Sequence, residues 1–250
     1  MGARRRRGRP RPRTLSPPRI LLVHGAWAGP WVFDRLAEEL RGRGFLVATV
    51  ALPTIGSTVD MYADAAAITE KLDAADGPVT LIAHSYGGIP TTQAGDHPAV
   101  ERIVYVAAFA LDAGETLQQA VGGGFPEFWG VADGMVSMGR SRTERIAMVS
   151  ADLPLDAPAD LAAQIADTFR PQSLAAFTTP VTRVAWRAKP TTYVLTERDA
   201  LVPTPFQEHL VARMGADVVR VPTGHTPFED DPVWFAGVLA DALETAETSR

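Results

Sequence analysis

Residues 79–90 read Val-Thr-Leu-Ile-Ala-His-Ser-Tyr-Gly-Gly-Ile-Pro, an apolar run that leads into a serine and two glycines. This pattern is typical of a nucleophile elbow, in which a serine stands on a sharp turn between a strand and a helix. The residues two before and two after that serine must be small, because strand and helix cross closely there. Ala83 departs from the usual G-x-S-x-G pattern, but a methyl group still fits, and Gly87 follows the pattern. We therefore predict Ser85 as a nucleophile on a strained turn, the alternative being that it only turns the chain after a buried strand.

A second apolar run, Ile20-Leu21-Leu22-Val23, ends in the tight loop His24-Gly25-Ala26-Trp27. Where a nucleophile elbow occurs, a backbone N–H of such a loop and the N–H of the residue after the serine point at the developing oxyanion. We predict that the backbone N–H groups of Ala26 and Tyr86 form this oxyanion hole. We expect His24 to brace the loop by hydrogen bonding rather than to take part in the chemistry.

Two later strands end in the residue types that a serine nucleophile needs. The strand predicted at residues 192–196 leads into Glu197-Arg198-Asp199, and the strand predicted at 217–221 is followed by Gly224-His225-Thr226. Serine, acid and histidine therefore follow one another in the chain order of the α/β-hydrolase triad. Each lies after the carboxyl end of a predicted parallel strand, where open α/β sheets place their sites. We predict Ser85, Asp199 and His225 as the catalytic residues.

The acid that orients His225 has three candidates in the sequence. Glu197 directly follows the strand end and has to double back, whereas Asp199 has two further residues with which to reach the loop that carries His225. Asp112 follows the strand that runs into Phe109, and it can orient His225 only if the acid of the triad follows that earlier strand in this protein. We choose Asp199 and keep the other two as alternatives.

These segments together resemble the esterase-type branch of the α/β-hydrolase superfamily, which includes bacterial carboxylesterases, plant methylester esterases and hydroxynitrile lyases. The resemblance runs from about residue 19 to about residue 243. Four segments carry it: HGAW at 24–27, AHSYGG at 83–88, YVAAF at 105–109 and GHTPF at 224–228. It implies a serine hydrolase that acts on small, largely apolar esters or lactones.

Strand-like and helix-like segments alternate along the core of the chain, which predicts a mostly parallel sheet with helices on both faces. The fold class is therefore α/β, with about six strands in an α/β-hydrolase fold. The predicted strands cover residues 20–23, 45–50, 79–83, 103–106, 192–196 and 217–221. The predicted helices cover residues 31–41, 61–72, 87–95, 204–214 and 232–243.

Between about residues 110 and 189 the alternation stops, although a structureless loop of that length is improbable in a compact domain. We interpret the stretch as a helical cap inserted before the strand at Thr192, with one helix at residues 157–169 and glycines at 122–124 that permit lid motion. Its apolar residues are candidates for a substrate pocket, the alternative being that they only pack the cap onto the core. The pocket candidates are Trp27, Phe125, Phe128, Trp129, Met135 and Met138.

The first 18 residues differ in composition from the rest of the chain. Eight of the 24 Lys and Arg residues are arginines within residues 1–19, interspersed with Pro and Gly, and this predicts a disordered leader before one domain at residues 19–250. A nucleic-acid arm, a targeting peptide or a twin-arginine export signal are alternatives. An export signal requires an apolar segment after the arginines, but the first apolar run, residues 20–23, is needed as a strand of the core. We expect the leader to be a solvated extension without such a role.

The composition excludes several classes of site. The chain has no cysteine, so disulfides and thiolate metal sites are impossible, and nothing indicates an oxidising compartment. The five histidines show no metal-ligand spacing, and the sequence has no P-loop and no G-x-G-x-x-G after a strand. We expect no metal, no cofactor, no nucleic-acid or membrane partner, and a cytoplasmic monomer or homodimer.

The predicted function is hydrolysis of a small, largely apolar carboxylic ester or lactone through an acyl-enzyme on Ser85. A cyclase, a lactone-forming enzyme or a thioesterase-type acyl transferase on the same triad is the main alternative, because an internal hydroxyl can replace water. A hydroxynitrile-lyase-like enzyme is a weaker alternative. The resemblance to that family implies a threonine in the oxyanion loop and a lysine just after the catalytic histidine, where this chain has Ala26 and Thr226. A ligand receptor without catalysis is a further alternative.

Overall fold

A computed structural model describes residues 19–153 and 158–247 of the chain. The leader predicted at residues 1–18 therefore lies outside the described residues. Strands and helices of the described part alternate along the chain up to residue 106 and again from residue 191. The strands are β1 (Arg19–Val23), β2 (Leu46–Val50), β3 (Val79–His84), β4 (Val100–Val106), β5 (Gly130–Ala132), β6 (Met135–Ser137), β7 (Gln172–Ser173), β8 (Thr191–Thr196) and β9 (Asp217–Val221).

The helices surround the sheet and also form much of the cap. They are α1 (Asp34–Gly42), α2 (Met61–Asp73), α3 (Gly88–Ala94), α4 (Leu117–Ala120), α5 (Arg142–Asp152), α6 (Leu161–Thr168), α7 (Leu174–Thr178), α8 (Thr204–Met214), α9 (Pro227–Asp230) and α10 (Pro232–Glu247). Short 3₁₀ turns precede α1 at Pro30–Phe33 and α3 at Ser85–Gly87, and a third lies at Ala185–Arg187. No helix among the described residues is long and apolar enough to cross a membrane.

The main sheet has six parallel strands in the order β2-β1-β3-β4-β8-β9. Strand β3, which leads to Ser85, is therefore central, while β8 and β9 lie side by side at one edge. Because all strands are parallel, their carboxyl ends meet along one edge of the sheet. The segments that follow β1, β3, β8 and β9, which carry the predicted site residues, therefore lie along that edge.

Alternate residues along the strands enter two separate hydrophobic cores, one on each face of the sheet. Leu21 and Val23 pack on the face that is covered by α2, α3, α8 and the cap. Ile20 and Leu22 pack on the opposite face against α1 and α10. The central strands β1, β3, β4 and β8 are buried on both faces, as parallel strands covered by helices require, whereas the edge strands β2 and β9 are partly exposed.

The fold agrees with the predicted α/β class, and all six predicted strands are present in the main sheet. The predicted strand boundaries are right to within one residue except for β4, which begins at Val100 instead of residue 103. The Lys189 ammonium donates to the carbonyl oxygens of His97 and Val100, at 3.0 and 2.7 Å, and so fixes the start of that strand. Among the helices, α1 begins at Asp34 instead of residue 31, and α10 ends at Glu247 instead of residue 243.

The cap contains more than the single helix that was predicted. Residues 157–169 were expected to be helical, but α6 covers only Leu161–Thr168, and residue 157 lies outside the described residues. Helices α4, α5 and α7 and a three-stranded sheet in the order β5-β6-β7 complete the cap. Strands of two or three residues are too short to show a period of two, so hydrophobic alternation did not indicate them.

Candidate active site

Ser85 stands directly after β3 with a left-handed backbone, φ 53°. Such a conformation is rare for a residue with a Cβ atom and is held here by its surroundings. The N–H of Phe109 donates to the Ser85 carbonyl at 3.1 Å, so the crossing segment after β4 fastens the turn. A Cβ atom at Gly87 would collide with the carbonyl oxygen of His24, and therefore only glycine allows the elbow to approach the loop after β1.

The loop after β1 lies against the elbow. A Cβ atom built on Gly25 would be 3.0 Å from the Cβ of Ser85, so glycine is needed for this approach. His24 Nε2 accepts from the Leu52 N–H at 3.2 Å, while its Nδ1 donates to the Gly25 carbonyl at 2.9 Å. Burial lowers the pKa of His24 to about 4, so the ring is neutral near pH 7. The prediction that His24 braces the loop is confirmed.

Asp199 and His225 are in direct contact, although 26 residues separate them. Nδ1 of His225 lies 2.8 Å from Oδ2 of Asp199, and both side chains are buried. Burial alone raises the pKa of Asp199, but the charge of His225 and the hydrogen bonds from His225, Val202 and Thr196 outweigh it and bring the pKa below its usual value. The carboxylate is therefore ionised and fixes the proton of His225 on Nδ1.

The two alternative acids lie elsewhere. Glu197 is partly exposed and faces Arg220, with 3.9 Å between the nearest charged atoms. The Asp112 carboxylate is 2.6 Å from the Arg187 guanidinium. The structure therefore brings Asp199, and neither Glu197 nor Asp112, to the ring of His225.

His84 has a contact that the sequence reasoning did not anticipate. Its Nε2 donates to the backbone carbonyl of His225 at 2.9 Å, and the two rings lie 4.6 Å apart. Burial and the charge of His225 lower the pKa of His84 well below its usual value. A neutral His84 thus joins the elbow to the loop after β9.

A profile of the alpha/beta hydrolase family matches residues 20–238. The chain belongs to this family. It is 28% identical over 248 residues to a protein of a Phoma species named "Probable hydrolase R7", covering 91% of this chain and 98% of that protein. It is 27% identical to the "Carbendazim hydrolyzing esterase" of a Nocardioides species, covering 88% of this chain and 98% of the esterase.

Solved structures agree with this assignment. The crystal structure of a pyrethroid hydrolase from Sphingobium faniae JZ-2 superposes with a TM-score of 0.76 at 25% identity, over 90% of this chain and 96% of that one. Since the matches cover almost the whole length of proteins named as hydrolases and esterases, this chain is an esterase-type α/β-hydrolase.

In this hydrolase, Ser85 and His225 line one cavity of about 370 Å³, within the usual size of small-molecule sites. Ala26 and Tyr86, predicted to form the oxyanion hole, line it as well. The walls are mainly apolar, and no Lys or Arg occurs among the described lining residues. The apolar lining includes Trp27, Ala28, Val32, Phe109, Leu117, Phe128, Trp129, Met138, Met148, Val149, Phe169, Phe177, Leu201, Val202 and Phe206.

Two residues predicted for the pocket do not line the cavity. Phe125 packs against Trp129 and Phe177, with ring centroids 5.8 and 6.0 Å apart, so it lies behind the wall instead of in it. Met135 lies within β6, where its backbone pairs with Ala132 and Ser173 in the cap sheet. The other predicted pocket residues, Trp27, Phe128, Trp129 and Met138, are in the lining.

Sequence reasoning missed the polar residues that hold Asp199. The Thr196 hydroxyl and the Gln207 amide donate to its Oδ2 at 2.9 and 3.2 Å, and two backbone N–H groups donate to its Oδ1. Gln207 is fully buried on α8, three residues before the buried Leu210. A polar residue on the apolar face of a predicted helix was the available signal. Among the described residues, no group of three or more potential ligands is arranged to hold a metal ion.

Proposed function

We propose that the protein is a serine esterase that hydrolyses a small, uncharged and largely apolar carboxylic ester or lactone. The observation that carries this proposal is the convergence of Ser85 and His225 on one apolar cavity, with Asp199 2.8 Å from Nδ1 of His225. Since Nδ1 faces the carboxylate, Nε2 is the nitrogen that can accept the Ser85 proton.

The chemistry follows from these positions. His225 removes the proton of Ser85 as its Oγ attacks the ester carbonyl carbon, and Asp199 stabilises the imidazolium that forms. The backbone N–H groups of Ala26 and Tyr86 bind the developing oxyanion. His225 then returns the proton to the leaving alcohol, which leaves an acyl group on Ser85. Water, deprotonated by His225, attacks this acyl-enzyme and releases the acid and free Ser85.

The apolar walls support the choice of substrate class. A negatively charged acyl or alcohol group would lose its water there without gaining an opposite charge, because the described lining carries no Lys or Arg. We expect neutral aryl and alkyl esters to be hydrolysed with a higher kcat/KM than half-esters of dicarboxylic acids of the same length.

Active-site labelling and turnover test the proposal together. A fluorophosphonate should label Ser85 alone, at one group per chain, and Ser85→Ala and His225→Ala should each lower ester turnover on the order of 10,000-fold or more while the circular dichroism spectrum is unchanged. Ser57→Ala is the matched control, because among the described residues the Ser57 hydroxyl donates only to the nearby Pro53 carbonyl, and it should keep wild-type turnover and labelling. Full activity of Ser85→Ala would refute the proposal.

A further inference from the structure

A buried carboxylate lies beneath the elbow and outside the triad. Asp64 is on α2 with no exposed surface, among the apolar residues that α2 contributes to the core. Its Oδ1 accepts from the Thr54 N–H at 2.9 Å, and its Oδ2 accepts from the Thr54 hydroxyl at 2.7 Å and the Tyr86 hydroxyl at 2.6 Å. Burying a carboxylate is unfavourable, and apolar replacements of buried charges are often at least as stable. Fold stability therefore gives no reason for an acid at this position.

One branch of the Asp64 network leads to the elbow. Tyr86, fully buried, directly follows Ser85, and its backbone N–H is one of the two proposed oxyanion donors. The 2.6 Å bond to Asp64 fixes the end of the Tyr86 side chain, while Phe177 of the cap packs against its ring at 5.5 Å. A hydrogen bond to a buried carboxylate is short and strong, so it limits rotation of the residue that carries the donor.

The other branch leads to the loop after β1. The Thr54 hydroxyl accepts from the Gln172 amide nitrogen at 2.9 Å, and the Gln172 amide oxygen accepts from the Trp27 N–H at 3.2 Å. Trp27 directly follows Ala26, the other proposed donor, and has a left-handed backbone with φ 62°. Three side chains, Asp64, Thr54 and Gln172, thus connect the two halves of the oxyanion hole through the protein interior.

The cap is part of the same network. Gln172 belongs to β7 of the cap. Two backbone N–H groups near it bond to the loops after β1 and β2: the Arg170 N–H donates to the Trp27 carbonyl at 2.8 Å, and the Ser173 N–H donates to the Thr54 carbonyl at 2.9 Å. The Trp27 indole donates to the Val136 carbonyl of β6 at 2.9 Å. The cap is therefore hydrogen-bonded directly to the loop that carries Ala26.

We propose that Asp64, acting through Tyr86 on one side and through Thr54 and Gln172 on the other, is a positioning residue that orients both backbone donors of the oxyanion hole. This inference rests on the proposed esterase function. Loss of one oxyanion donor lowers kcat by about 100- to 1,000-fold, so misorientation of a donor that is still present should lower kcat less, by about 10- to 100-fold. Because the donors act on the transition state, KM should change little.

The test compares hydroxyl deletions at equally buried tyrosines. Tyr86→Phe removes the bond to Asp64, whereas Tyr105→Phe removes only the bond to the Thr92 hydroxyl, and both tyrosines are fully buried. The measurements are kcat and KM with p-nitrophenyl acetate, and the inhibition constant of an aryl trifluoromethyl ketone, whose adduct places an oxyanion in the hole. We expect Tyr86→Phe and Asp64→Asn to lose about 10- to 100-fold in kcat and a similar factor in ketone affinity, with KM within about twofold of wild type. Tyr105→Phe should keep both values within about twofold.

The outcomes separate this inference from the proposed function. Folded Tyr86→Phe and Asp64→Asn variants with wild-type kcat and ketone affinity would overturn the positioning role while leaving the esterase intact. If Asp64→Asn does not fold, Gln172→Met decides the second branch, and wild-type kinetics in both Gln172→Met and Tyr86→Phe overturn the inference. Failure of a fluorophosphonate to label Ser85 in the wild-type protein would instead overturn the proposed function.

Discussion

At the scale of single residues, the site depends on a buried acid whose hydrogen-bonding capacity is fully used. Oδ1 of Asp199 accepts from the N–H groups of Leu201 and Val202 at 2.8 and 2.7 Å, which leaves Oδ2 for His225, Thr196 and Gln207. These donors keep the carboxylate ionised and fixed in direction in spite of its burial. His225 is therefore held in one tautomer before any substrate binds.

Replacement of the acid by its amide tests this arrangement. Asp199→Asn should keep the shape of the site but favour the wrong tautomer of His225, with a loss of turnover on the order of 10,000-fold, as in serine-protease triads. Glu197→Gln and Asp112→Asn are the matched amide controls and should stay within about twofold of wild type, since neither carboxylate contacts His225. A large loss confined to either control would contradict the assignment of Asp199.

The sequence contained enough information to select the residues of the proposed triad but not those that support them. Ser85, Asp199 and His225 each follow a predicted strand, and the end of such a strand is readable from the sequence. Contacts such as Gln172 to Trp27 join residues 145 positions apart and follow no periodicity. Such contacts form only when the cap packs onto the core, and the local sequence pattern does not determine that packing.

At the scale of secondary-structure elements, the elbow is a close crossing of β1, β3 and α3. Gly87 makes this crossing possible, because a residue without a side chain leaves room for the carbonyl oxygens of Val23 and His24. This crossing was predictable from the small residues around Ser85, as were the six strands of the main sheet from their length and apolar character. The cap strands β5, β6 and β7 show no alternation, because they have only two or three residues, and β6 also pairs with the distant β7. The Asp133-Gly134 turn that joins β5 to β6 was the available signal for their hairpin.

Gly87→Ala should disrupt this crossing. The new methyl group would overlap two backbone carbonyls that cannot move aside, so we expect a loss of about 1–3 kcal/mol in the free energy of unfolding, measured by urea denaturation. Gly42→Ala is the control, since Gly42 ends α1 and a Cβ atom there meets nothing within 4 Å. It should be neutral or slightly stabilising. Equal stability of the two variants would show that the crossing has room for a methyl group.

At the scale of the whole molecule, buried titratable groups outside the triad control stability in acid. Burial lowers the pKa of His24 from 6.5 to about 4, and burial also raises the pKa of Asp64 from 3.8 to about 6. Between pH 6.5 and 4 the unfolded chain therefore binds the His24 proton and the folded protein does not, so this histidine lowers stability as the pH falls. Asp64 acts in the opposite direction, because the folded protein takes up its proton first.

Paired variants separate the two effects. Relative to His24→Gln, the wild-type protein should lose about 3 kcal/mol of unfolding free energy between pH 7 and pH 4, since each pKa unit corresponds to about 1.4 kcal/mol. Relative to Asp64→Asn, it should gain a similar amount over the same range. The measurement is urea denaturation at several pH values. Parallel stability curves for the three proteins would contradict the burial-induced pKa changes.

The order in which the strands occur along the chain has a consequence for biosynthesis. The ribosome delivers β3 and Ser85 when about one third of the protein has been made, but β8 and β9, which bring Asp199 and His225, come in the last quarter. Under the mechanism that we propose, a nascent or prematurely terminated chain thus carries the Ser85 hydroxyl without its base, and it cannot form an acyl intermediate that it would be unable to release. The appearance of esterase activity during translation or refolding reports the closing of the sheet at its β9 edge, not the collapse of its first strands.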